Sequence, residues 1–361
     1  MNKIILVGTS KGLVVYRHVE NKWRIETTQF VGFPVSMVYV DERHGTWWVC
    51  LTHRHWGLKL HRSSDQGKSW EALPVPKYPE DAQLQSGQPA TLRKIWTMQQ
   101  AGPDRPTGLY LGTEPGGLFF SNNGGDSFEL VESLWNHPSR KDQWFGAGRD
   151  HPFIHSIVVD PRNSNHLYVA VSCAGVFETM DGGNSWQARN NGLVAAYLPN
   201  PQAEIGHDPH RMFACAMQPD ILWQQNHCGI YRSTDGGRQW TDIAGVNNFP
   251  NYGFAIAIDH RNPQRAWVIP AVSDEIRVAV NLALCVCRTE DGGQTWQELR
   301  QGLPQENCFD IVFRHAFANI DDVLVFGTTT GNLYLSENGG DQWTCLSGNL
   351  ARVESICMTV G

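Results

Sequence analysis

The chain has 361 residues, of which 35 are glycine and 14 are tryptophan, and only 18% carry a charge. This composition is typical of many short strands joined by tight turns, and it argues against a mainly helical protein. The net charge of −7, without any Lys- and Arg-rich stripe, excludes a general nucleic-acid binder, because phosphate binding needs clustered cations. No window of 18 apolar residues occurs, so we expect no membrane span and no membrane partner.

The first elements along the chain are three strand-like runs, KIILVGT, GLVVYRH and NKWRIETTQF. No signal-peptide-like apolar region precedes them, so a cytoplasmic protein is expected. The nine cysteines are an odd number and lie mostly in apolar runs, which favours free thiols in a reducing compartment over a disulfide framework. Among them, Cys285 and Cys287 alternate along a predicted strand, which places both sulfur atoms on one face.

A turn-like segment then recurs six times, at intervals of 47 to 58 residues. Its copies are SSDQGKSW from 63, SNNGGDSF from 121, TMDGGNSW from 179, STDGGRQW from 233, TEDGGQTW from 289 and SENGGDQW from 336. An Asp or Asn that bonds nearby backbone, a Gly that accepts positive φ and an aromatic plug between sheets are what a turn requires. We therefore interpret this segment, called the repeat turn below, as structural and not as an active-site motif.

Each repeat turn lies between strand-like runs in a constant order. In the third copy these are HSIVVDP at 155–161, LYVAV at 167–171 and GVFET at 175–179, with a short run that opens on the aromatic residue of the turn. They correspond to four strands, A, B, C and D, with the repeat turn between C and D. The interval between copies suits one four-stranded sheet per repeat.

The two ends of the chain complete a further sheet. The N-terminal runs supply strands B, C and D without a repeat turn, and ESICMTV near the C-terminus supplies an isolated strand A. Pairing them closes the ring and leaves no open sheet edge. The sequence therefore predicts an all-β, seven-bladed β-propeller that forms a single domain over residues 1–361.

In such a propeller the A strands line a channel, and the B–C turns and D–A loops meet on one face, where ligands commonly bind. The D–A connections at 72–91, 131–152 and 189–210 are long, and the fifth repeat has a B–C insertion at 271–283. Polar residues concentrate in these loops: His53, Arg54, His55, Trp56, Glu114, Arg149, Asp150, His151, Ser172, Cys173, Glu204, His207, Asp208, His210, Arg211, His227, Cys228, Asp274, Glu275 and Arg277. A shared V-x-D ending of the A strands aligns Ser36, Lys94, His155, Phe254, Asp310 and Glu354 at the channel mouth.

Three kinds of chemistry are compatible with this face. His55, His155 and His227, with Glu114, are candidate ligands of a divalent metal ion, and Asp150 or Asp310 would support them. Without a metal, Glu114, Asp150, His155 and His227 are candidate acids and bases, and the substrate-binding candidates are His55, Trp56, Lys94, Arg149, His151, His210, Arg211, Asp274, Glu275 and Arg277. A nucleophilic Cys173 or Cys228 is the third route. Solvated loop residues and turn caps explain the same side chains without any chemistry, and this alternative stays open.

The repeat turn follows the pattern S/T-x-D/N-x-G-x-x-W/F and resembles the Asp-box of the BNR-repeat β-propellers, over almost the whole chain. The runs THRHWGLKLHRS, GTEPGGLF, DHPFIHSIVVDP, WQQNHCGIYRSTDGG and RHAFAN are similar to bacterial single-domain BNR or YVTN-like proteins that are called glycosyl hydrolases. The resemblance implies a propeller whose box lies away from the substrate site, but it says little about the reaction. The stretch VGFPVS at 31–36 lacks the Arg of the sialidase F/Y-R-I-P motif, so a true sialidase is not expected.

Two functions follow from the sequence. The first is a cytoplasmic hydrolase or lyase, glycosyl-hydrolase-like, that acts on a small polar or sugar-derived substrate in the His- and carboxylate-rich mouth, with or without a divalent metal. The second is a non-catalytic propeller that binds a peptide or protein on the same face through Trp56, Trp135, Trp144 and Tyr197.

Overall fold

The computed structural model describes residues 3–53, 55–146, 148–244 and 249–361, so Arg54 of the predicted loop set lies outside the described residues. The chain forms two compact units. Unit I comprises residues 1–57, 61–71 and 243–361, and unit II comprises residues 58–60 and 72–242.

Strands provide most of the regular structure in the described ranges. The first part of the chain contains β1 (Lys3–Thr9), β2 (Gly12–Val19), β3 (Lys22–Gln29), β4 (Val35–Asp41), β5 (Thr46–His53), β6 (Gly57–Ser63) and β7 (Glu71–Leu73). The middle part contains β8 (Lys94–Gln100), β9 (Leu109–Glu114), β10 (Leu118–Ser121), β11 (Glu129–Leu130), β12 (Ile154–Val159), β13 (Leu167–Val171), β14 (Gly175–Thr179), β15 (Gln187–Ala188), β16 (Pro209–Cys215), β17 (Gln218–Asn226), β18 (Gly229–Ser233) and β19 (Thr241–Asp242). The last part contains β20 (Gly253–Ile258), β21 (Ala266–Pro270), β22 (Val286–Thr289), β23 (Gln297–Leu299), β24 (Phe317–Ile320), β25 (Val323–Gly327), β26 (Leu333–Ser336), β27 (Thr344–Ser347) and β28 (Val353–Val360).

These strands form seven four-stranded sheets within the described residues. Six sheets take their strands in chain order, from β4–β7 to β24–β27. The seventh has the order β28-β1-β2-β3, with Ile4 opposite Thr359 and Ile5 opposite Met358 in an antiparallel pair. The fold is therefore an all-β, seven-bladed β-propeller, and the sheet shared by both chain ends is confirmed. That residues 1–361 form one domain stays a prediction.

The individual strands follow the sequence pattern closely. Strands β13 and β14 have the predicted bounds, and all residues of both are buried, as expected for short continuous apolar runs inside a sheet stack. Val169, Val171 and Phe177 pack in one core cluster with Trp186, the aromatic residue of the third repeat turn. The aromatic residue thus fills the space beside its own sheet, which is the predicted structural role.

Three short helices occur in the described residues, all in connections that were predicted to be long. They are α1 (Glu132–Trp135) and α2 (Arg140–Gln143), between β11 and β12, and a 3-10 helix at Val280–Leu282 in the insertion between β21 and β22. Four residues are too few to show a helical period, so the sequence pattern did not predict them. None of the helices in these ranges has the length and apolar character needed to cross a membrane.

The fourth repeat turn shows why the segment recurs. The Ser233 hydroxyl donates to Asp235 Oδ1 at 2.7 Å and accepts the N–H of Gly237 at 2.9 Å. Gly237 has a φ of 76°, which a side chain rarely adopts. The indole N–H of Trp240 donates to the carbonyl oxygen of Arg189, just beyond β15 of the preceding sheet, at 2.7 Å. The segment is therefore a hydrogen-bonded turn that ties one sheet to the next, as predicted.

Replacing Ser233 by Ala should lower the free energy of unfolding by about 1–2 kcal/mol, because the buried N–H of Gly237 loses its acceptor. Urea denaturation followed by tryptophan fluorescence measures this change. Thr241→Ala, at an exposed position of β19, is the matched control and should change stability by less than about 0.5 kcal/mol. Equal stability of S233A and wild type would contradict the structural role of the hydroxyl.

One inner strand begins later than the sequence predicts. The aligned position Asp310 precedes β24, which starts only at Phe317. The Asp310 carboxylate instead accepts the N–H of Thr330 at 3.0 Å and the side-chain amide of Asn332 at 2.9 Å. The residues around Asp310 alternate as in a strand, but Asp310 is held by hydrogen bonds from the turn after β25. The A-strand position predicted for Asp310 is therefore wrong.

Candidate functional site

The first strands of the three sheets in unit II start at the same end of that unit. Strand β12 contacts both β8 and β16. Their antiparallel registers place the B–C turns at this end too, since Lys94 lies opposite Glu114 and Pro209 lies opposite Asn226. Side chains from strand starts, B–C turns and D–A loops therefore meet here.

Three of these side chains form a compact group. Within the described ranges, one set of three or more His, Cys, Asp or Glu side chains has its ligand atoms close enough to share a metal ion: Asp208, His210 and His227, all within 4.8 Å of one another. Asp208 Oδ2 lies 3.4 Å from His210 Nε2 and 3.5 Å from His227 Nδ1. We call this set the His–Asp cluster. Asp208 and His210 are buried, whereas His227 is partly exposed.

The backbone holds the cluster together. Asp208 directly precedes β16, His210 is the second residue of β16, and His227 follows β17, its antiparallel partner. The N–H of His227 donates to the carbonyl oxygen of Asp208 at 2.9 Å, which places the turn directly beside the strand start. The three side chains are therefore positioned by sheet pairing and not by a mobile loop alone.

The Asp208 carboxylate is ionised in spite of its burial. Desolvation raises its pKa, but the charge of His210 and hydrogen bonds from His210, His227 and Ser172 outweigh it and hold the pKa well below 3.8. The Ser172 hydroxyl donates to Oδ1 at 2.6 Å. One carboxylate oxygen is thus oriented by Ser172 and the other faces the two imidazoles, an arrangement that suits a metal ligand.

Aromatic rings cover one side of the cluster. The rings of His227 and His210 are nearly perpendicular, with centroids 5.6 Å apart, and Tyr197 meets His227 edge to face at 5.2 Å. The Tyr197 hydroxyl donates to the carbonyl oxygen of Gly206 at 2.9 Å, which fixes the long loop after β15. Cys173, in the neighbouring B–C turn with a φ of 55°, is buried, so its thiol is not accessible to a substrate in this conformation.

A second group, rich in cations, lies at the starts of β8 and β12. The buried Glu114 carboxylate accepts a hydrogen bond from Arg149 Nε at 2.5 Å. Lys94 Nζ lies 3.7 Å from the ring centre of Trp96, and Arg149 Cζ lies 5.3 Å from the same ring. Trp96 stacks on Phe153 with ring centroids 4.3 Å apart. Two cations, one of them paired with a carboxylate, therefore lie near a single indole.

His155 connects this group to β16. Its ring is buried, with its centroid 5.8 Å from that of Phe153, and its Nδ1 lies 3.1 Å from the Ser156 hydroxyl. Arg211 Nη1 donates to the His155 carbonyl oxygen at 3.1 Å. We call Lys94, Glu114, Arg149, His155 and Arg211 the cationic group. Its three fixed positive charges exceed its one carboxylate, so it suits a ligand with an anionic or electron-rich group.

The remaining candidates are more dispersed. Asp150 is exposed and His151 partly exposed, next to Arg149 in the loop. In unit I, the candidates His55, Trp56, Asp274, Glu275 and Arg277 are all exposed. His53 Nδ1 accepts the N–H groups of His55 and Trp56, and Arg277 Nε donates to the carbonyl oxygen of Asp274 at 2.9 Å.

Two of the predicted aromatic anchors are buried. Trp144 Nε1 donates to the Ser139 hydroxyl, and its ring packs on Phe177. Trp135 packs between Tyr78 and Arg140. Both therefore belong to the packing under the long β11–β12 connection, and only Trp56 and Tyr197 of the four are exposed.

The His–Asp cluster differs from the metal ligands that the sequence suggested. His227 belongs to it, whereas His55 and His155 do not. His210 was expected among substrate-binding residues, and Asp208 was noted only as a polar loop residue. One sequence feature could have indicated this cluster. It is the D-x-H spacing in EIGHDPHR at the start of a predicted A strand, followed by a His in the next B–C turn.

Comparisons with known proteins agree with this fold. No family model matches the chain. The chain is 24% identical over 310 residues to the oligoxyloglucan-reducing end-specific xyloglucanase of Emericella nidulans. The matched region covers 78% of this chain and 35% of that protein. The chain thus spans 35% of the length of this curated relative.

Three solved structures are similar over most of the chain. The periplasmic gluconolactonase PpgL of Pseudomonas aeruginosa has a TM-score of 0.60 at 12% identity, covering 100% of this chain and 99% of that one. An ancestral GH74 enzyme has a TM-score of 0.57 at 18% identity, and the match covers 90% of this chain and 38% of that one. YCF48 bound to a D1 peptide has a TM-score of 0.54 at 16% identity, covering 91% and 87%. These identities establish the class alone, a seven-bladed β-propeller with enzymes and a peptide-bound protein among its structural neighbours.

Proposed function

We propose that this protein is a metal-assisted hydrolase that acts on a small polar or sugar-derived substrate at the end of unit II where β8, β12 and β16 start. The single observation that carries this proposal is the His–Asp cluster, with three potential ligand atoms within 4.8 Å of one another. We also propose that the repeat turns are Asp-boxes of the BNR type, that the protein is cytoplasmic, and that residues 1–361 act as one domain.

The donor set fits a catalytic metal site of the zinc type. Two imidazoles and one carboxylate leave a coordination position open, as catalytic zinc sites do, whereas structural sites use four protein ligands. A metal ion held there would polarise a substrate oxygen and lower the pKa of a bound water. Ser172 orients the Asp208 carboxylate, and Tyr197 restricts how His227 turns.

The cationic group supplies substrate binding in this proposal. Lys94, Arg149 and Arg211 present positive charge near β8, β12 and β16, and they suit a carboxylate, phosphate or hydroxyl-rich group. Glu114 would serve as acid or base once a substrate anion competes for Arg149, and Asp150 lies in the same loop as Arg149. A buried carboxylate held by one exposed arginine is suited to such an exchange.

The relatives give this proposal its reaction class. The names of the curated relative and of two structural neighbours refer to a xyloglucanase, a GH74 enzyme and a gluconolactonase. Glycosides and sugar lactones are therefore the first substrates to test. A lyase acting on the same substrates is the alternative reaction, and the mass of the product distinguishes it, because hydrolysis adds one water.

The test begins with protein purified without chelator. We expect about one equivalent of a divalent transition metal by elemental analysis, and hydrolysis of at least one member of a panel of chromogenic glycosides and sugar lactones. Removal of the metal should abolish turnover, and zinc, cobalt or manganese should restore it. Metal-free protein with undiminished hydrolysis would exclude metal assistance, and metal-loaded protein without turnover on any panel member would argue against the hydrolase.

A peptide- or protein-binding function is the second candidate. Trp56 is 69% exposed and lies beside His53, whose ring is 5.7 Å from the exposed Phe33. Exposed aromatic side chains are common binding anchors, and a structural neighbour was solved with a peptide. Selection from a peptide library, with loss of binding in Trp56→Ala but not in Met217→Ala, an equally exposed control, would support it.

A further inference from the structure

Two thiols in unit I lie in direct contact, and neither belongs to the His–Asp cluster or to the cationic group. Cys285 Sγ and Cys287 Sγ are 3.3 Å apart, so one thiol donates a hydrogen bond to the other sulfur. Cys285 directly precedes β22 and Cys287 is its second residue, and alternate residues of an extended chain face the same side. Both sulfurs are therefore on one face, as the sequence predicts.

The surrounding chain holds this pair in place. Cys287 lies opposite Val268 on one side and Glu298 on the other, in the middle of a four-stranded sheet. Before Cys285, the N–H of Leu284 donates to the carbonyl oxygen of Pro304 at 2.9 Å, and Gln305 Nε2 donates to the Leu284 carbonyl oxygen at 2.9 Å. The contact between the thiols is thus imposed by strand pairing and by the loop after β23.

The two thiols are electrostatically unequal. The hydrogen bond from Cys287 lowers the pKa of Cys285, with a further contribution from the Arg300 guanidinium, whereas the pKa of Cys287 is raised well above 9.0. Arg300 is anchored by Glu298 at 2.9 Å and by the carbonyl oxygen of Ala283 at 3.4 Å. Cys285 is therefore the more readily ionised thiol of the pair, and Cys287 is the one that donates the hydrogen bond to it.

The exposed fractions of the two cysteines also distinguish them. Cys285 is 7% exposed, whereas Cys287 is fully buried. Both residues are buried, and of the two only Cys285 keeps any exposed surface, so a reagent as small as hydrogen peroxide is expected to meet Cys285 first. A thiol in contact with a second thiol that can displace its sulfenic acid is an arrangement found in reversible redox sites.

We propose that Cys285 and Cys287 are a redox-active dithiol that hydrogen peroxide oxidises to an intramolecular disulfide. The Cys285 thiolate attacks one peroxide oxygen, the O–O bond breaks, and a sulfenic acid and hydroxide form. The Cys287 sulfur then attacks the Cys285 sulfur, the S–O bond breaks, and the hydroxyl leaves as water with the Cys287 proton. Two electrons pass from the two sulfur atoms to peroxide, which gives one hydroxide ion and one water; the hydroxide takes up the proton that Cys285 lost on ionisation, so two waters form in total.

This site shares no residue with the proposed hydrolase site. Cys285 and Cys287 lie in unit I, whereas the His–Asp cluster and the cationic group lie in unit II. The nine cysteines, all within the described residues, form no disulfides, and Cys345 is the exposed one. Cys345 therefore serves as an internal reference for unselective oxidation within the same molecule.

The experiment treats the full chain with increasing hydrogen peroxide and maps the peptides by mass spectrometry. We expect the peptide that contains both cysteines to lose two hydrogens and to regain them with dithiothreitol. In Cys287→Ser, a dimedone adduct should form at Cys285, whereas Cys285→Ser should give no adduct at Cys287. Arg300→Gln should slow oxidation by up to about tenfold, the effect of one pKa unit on a thiolate, and the exposed control Arg24→Gln should not.

Two results would overturn the proposal. The first is a Cys285–Cys287 peptide that stays reduced while Cys345 is oxidised. The second is sulfinic acid at Cys285 in wild type without a disulfide, which would mean that Cys287 does not resolve the sulfenic acid. Circular dichroism of both serine variants separates loss of chemistry from loss of fold, and trapping at Cys285 in the folded C287S protein keeps the test decisive.

Discussion

Asp208→Asn is expected to weaken divalent-metal binding by more than about 100-fold, since even changes in groups that only orient a ligand cost 10–100-fold. Asn keeps the shape of the side chain and an oxygen for Ser172, so the loss reflects the missing charge between His210 and His227. Hydrolysis should fall by at least about 10²-fold, as when a charge-stabilising group is removed from an active site. Equilibrium dialysis with zinc measures the first effect and the chromogenic assay the second.

A thermal-stability readout makes this test independent of turnover. A metal present at 100 times its Kd stabilises the wild-type fold by about 2.7 kcal/mol, and a 100-fold weaker site gives only about 0.4 kcal/mol at the same concentration. The matched control is Asp310→Asn, another buried carboxylate, which accepts hydrogen bonds from Thr330 and Asn332 and faces no described histidine cluster. Equal zinc-dependent shifts in wild type and D208N would remove the His–Asp cluster from the proposal.

The second large effect concerns a buried ion network in unit II. The His166 ring lies between two carboxylates, with Nδ1 2.9 Å from Asp160 and Nε2 2.8 Å from Glu178. Glu178 also accepts a hydrogen bond from Arg189 at 2.6 Å and pairs with Arg238 at 3.3 Å. Both ring nitrogens donate to carboxylates, so the imidazole is held in its charged form.

The pKa shifts in this network follow from those contacts. The hydrogen bond to Glu178 raises the pKa of His166 above 6.5, against desolvation. Burial raises the pKa of Glu178 and of Asp160, but hydrogen bonds from His166 and the arginines outweigh it and bring both values to about 2, from 4.5 and 3.8. Each shift is a contribution to stability with its own pH window.

The signs of these contributions define an optimum. The Glu178 contribution is complete above pH 4.5 and is lost as the pH falls toward about 2. The His166 contribution is complete below pH 6.5 and is lost as the pH rises through its raised pKa. The network therefore stabilises unit II most between pH 4.5 and 6.5. In that range Glu178→Gln should lower the free energy of unfolding by about 3–5 kcal/mol, because Glu178 is the buried partner shared by His166, Arg189 and Arg238.

Guanidinium denaturation at a series of pH values measures this effect. The difference between wild type and E178Q should shrink as the pH falls from 4.5 toward about 2, because Glu178 is then protonated in the unfolded chain while the folded protein still holds it ionised. Glu26→Gln is the matched control, because Glu26 pairs with Arg17 at 2.9 Å on an exposed surface and should contribute less than about 1 kcal/mol. A stability difference for E178Q that does not vary with pH would contradict the assignment of charge to this network.

Much of the fold was predictable from local pattern. The repeat turn recurs because the sheets that contain it use the same hydrogen-bonded bend between their third and fourth strands. The roles of Ser233, Asp235 and Gly237 could therefore be predicted without any tertiary information. Counting these turns and the unpaired runs at both chain ends was sufficient to predict seven sheets, including the pairing of β28 with β1. The prediction that Asp310 lies in an A strand was wrong because its carboxylate accepts hydrogen bonds from a turn about twenty residues later. The alternation of residues along the chain does not reveal such a contact.

The candidate site was predictable only in outline. Sequence reasoning expected His210, His227, Glu114 and Arg149 near strand ends on one face; in the structure His227 and Arg149 lie in connections, whereas His210 is in β16 and Glu114 ends β9. It could not select their partners, since Asp208 and His227 are brought within 3.5 Å by a backbone pairing across two strands. The buried state of Trp135 and Trp144 likewise depends on packing beneath the long connection that contains α1 and α2.

The sequence by itself determined the architecture of this protein, because turn chemistry and strand alternation are local properties that repeat along the chain. Only the tertiary structure decided which side chains form the His–Asp cluster and that Cys285 contacts Cys287 at 3.3 Å. The physical reason is that ligand sets and thiol contacts depend on distances of a few ångströms between side chains. Those distances are fixed by sheet register, by the path of long loops and by burial, which no short stretch of sequence contains.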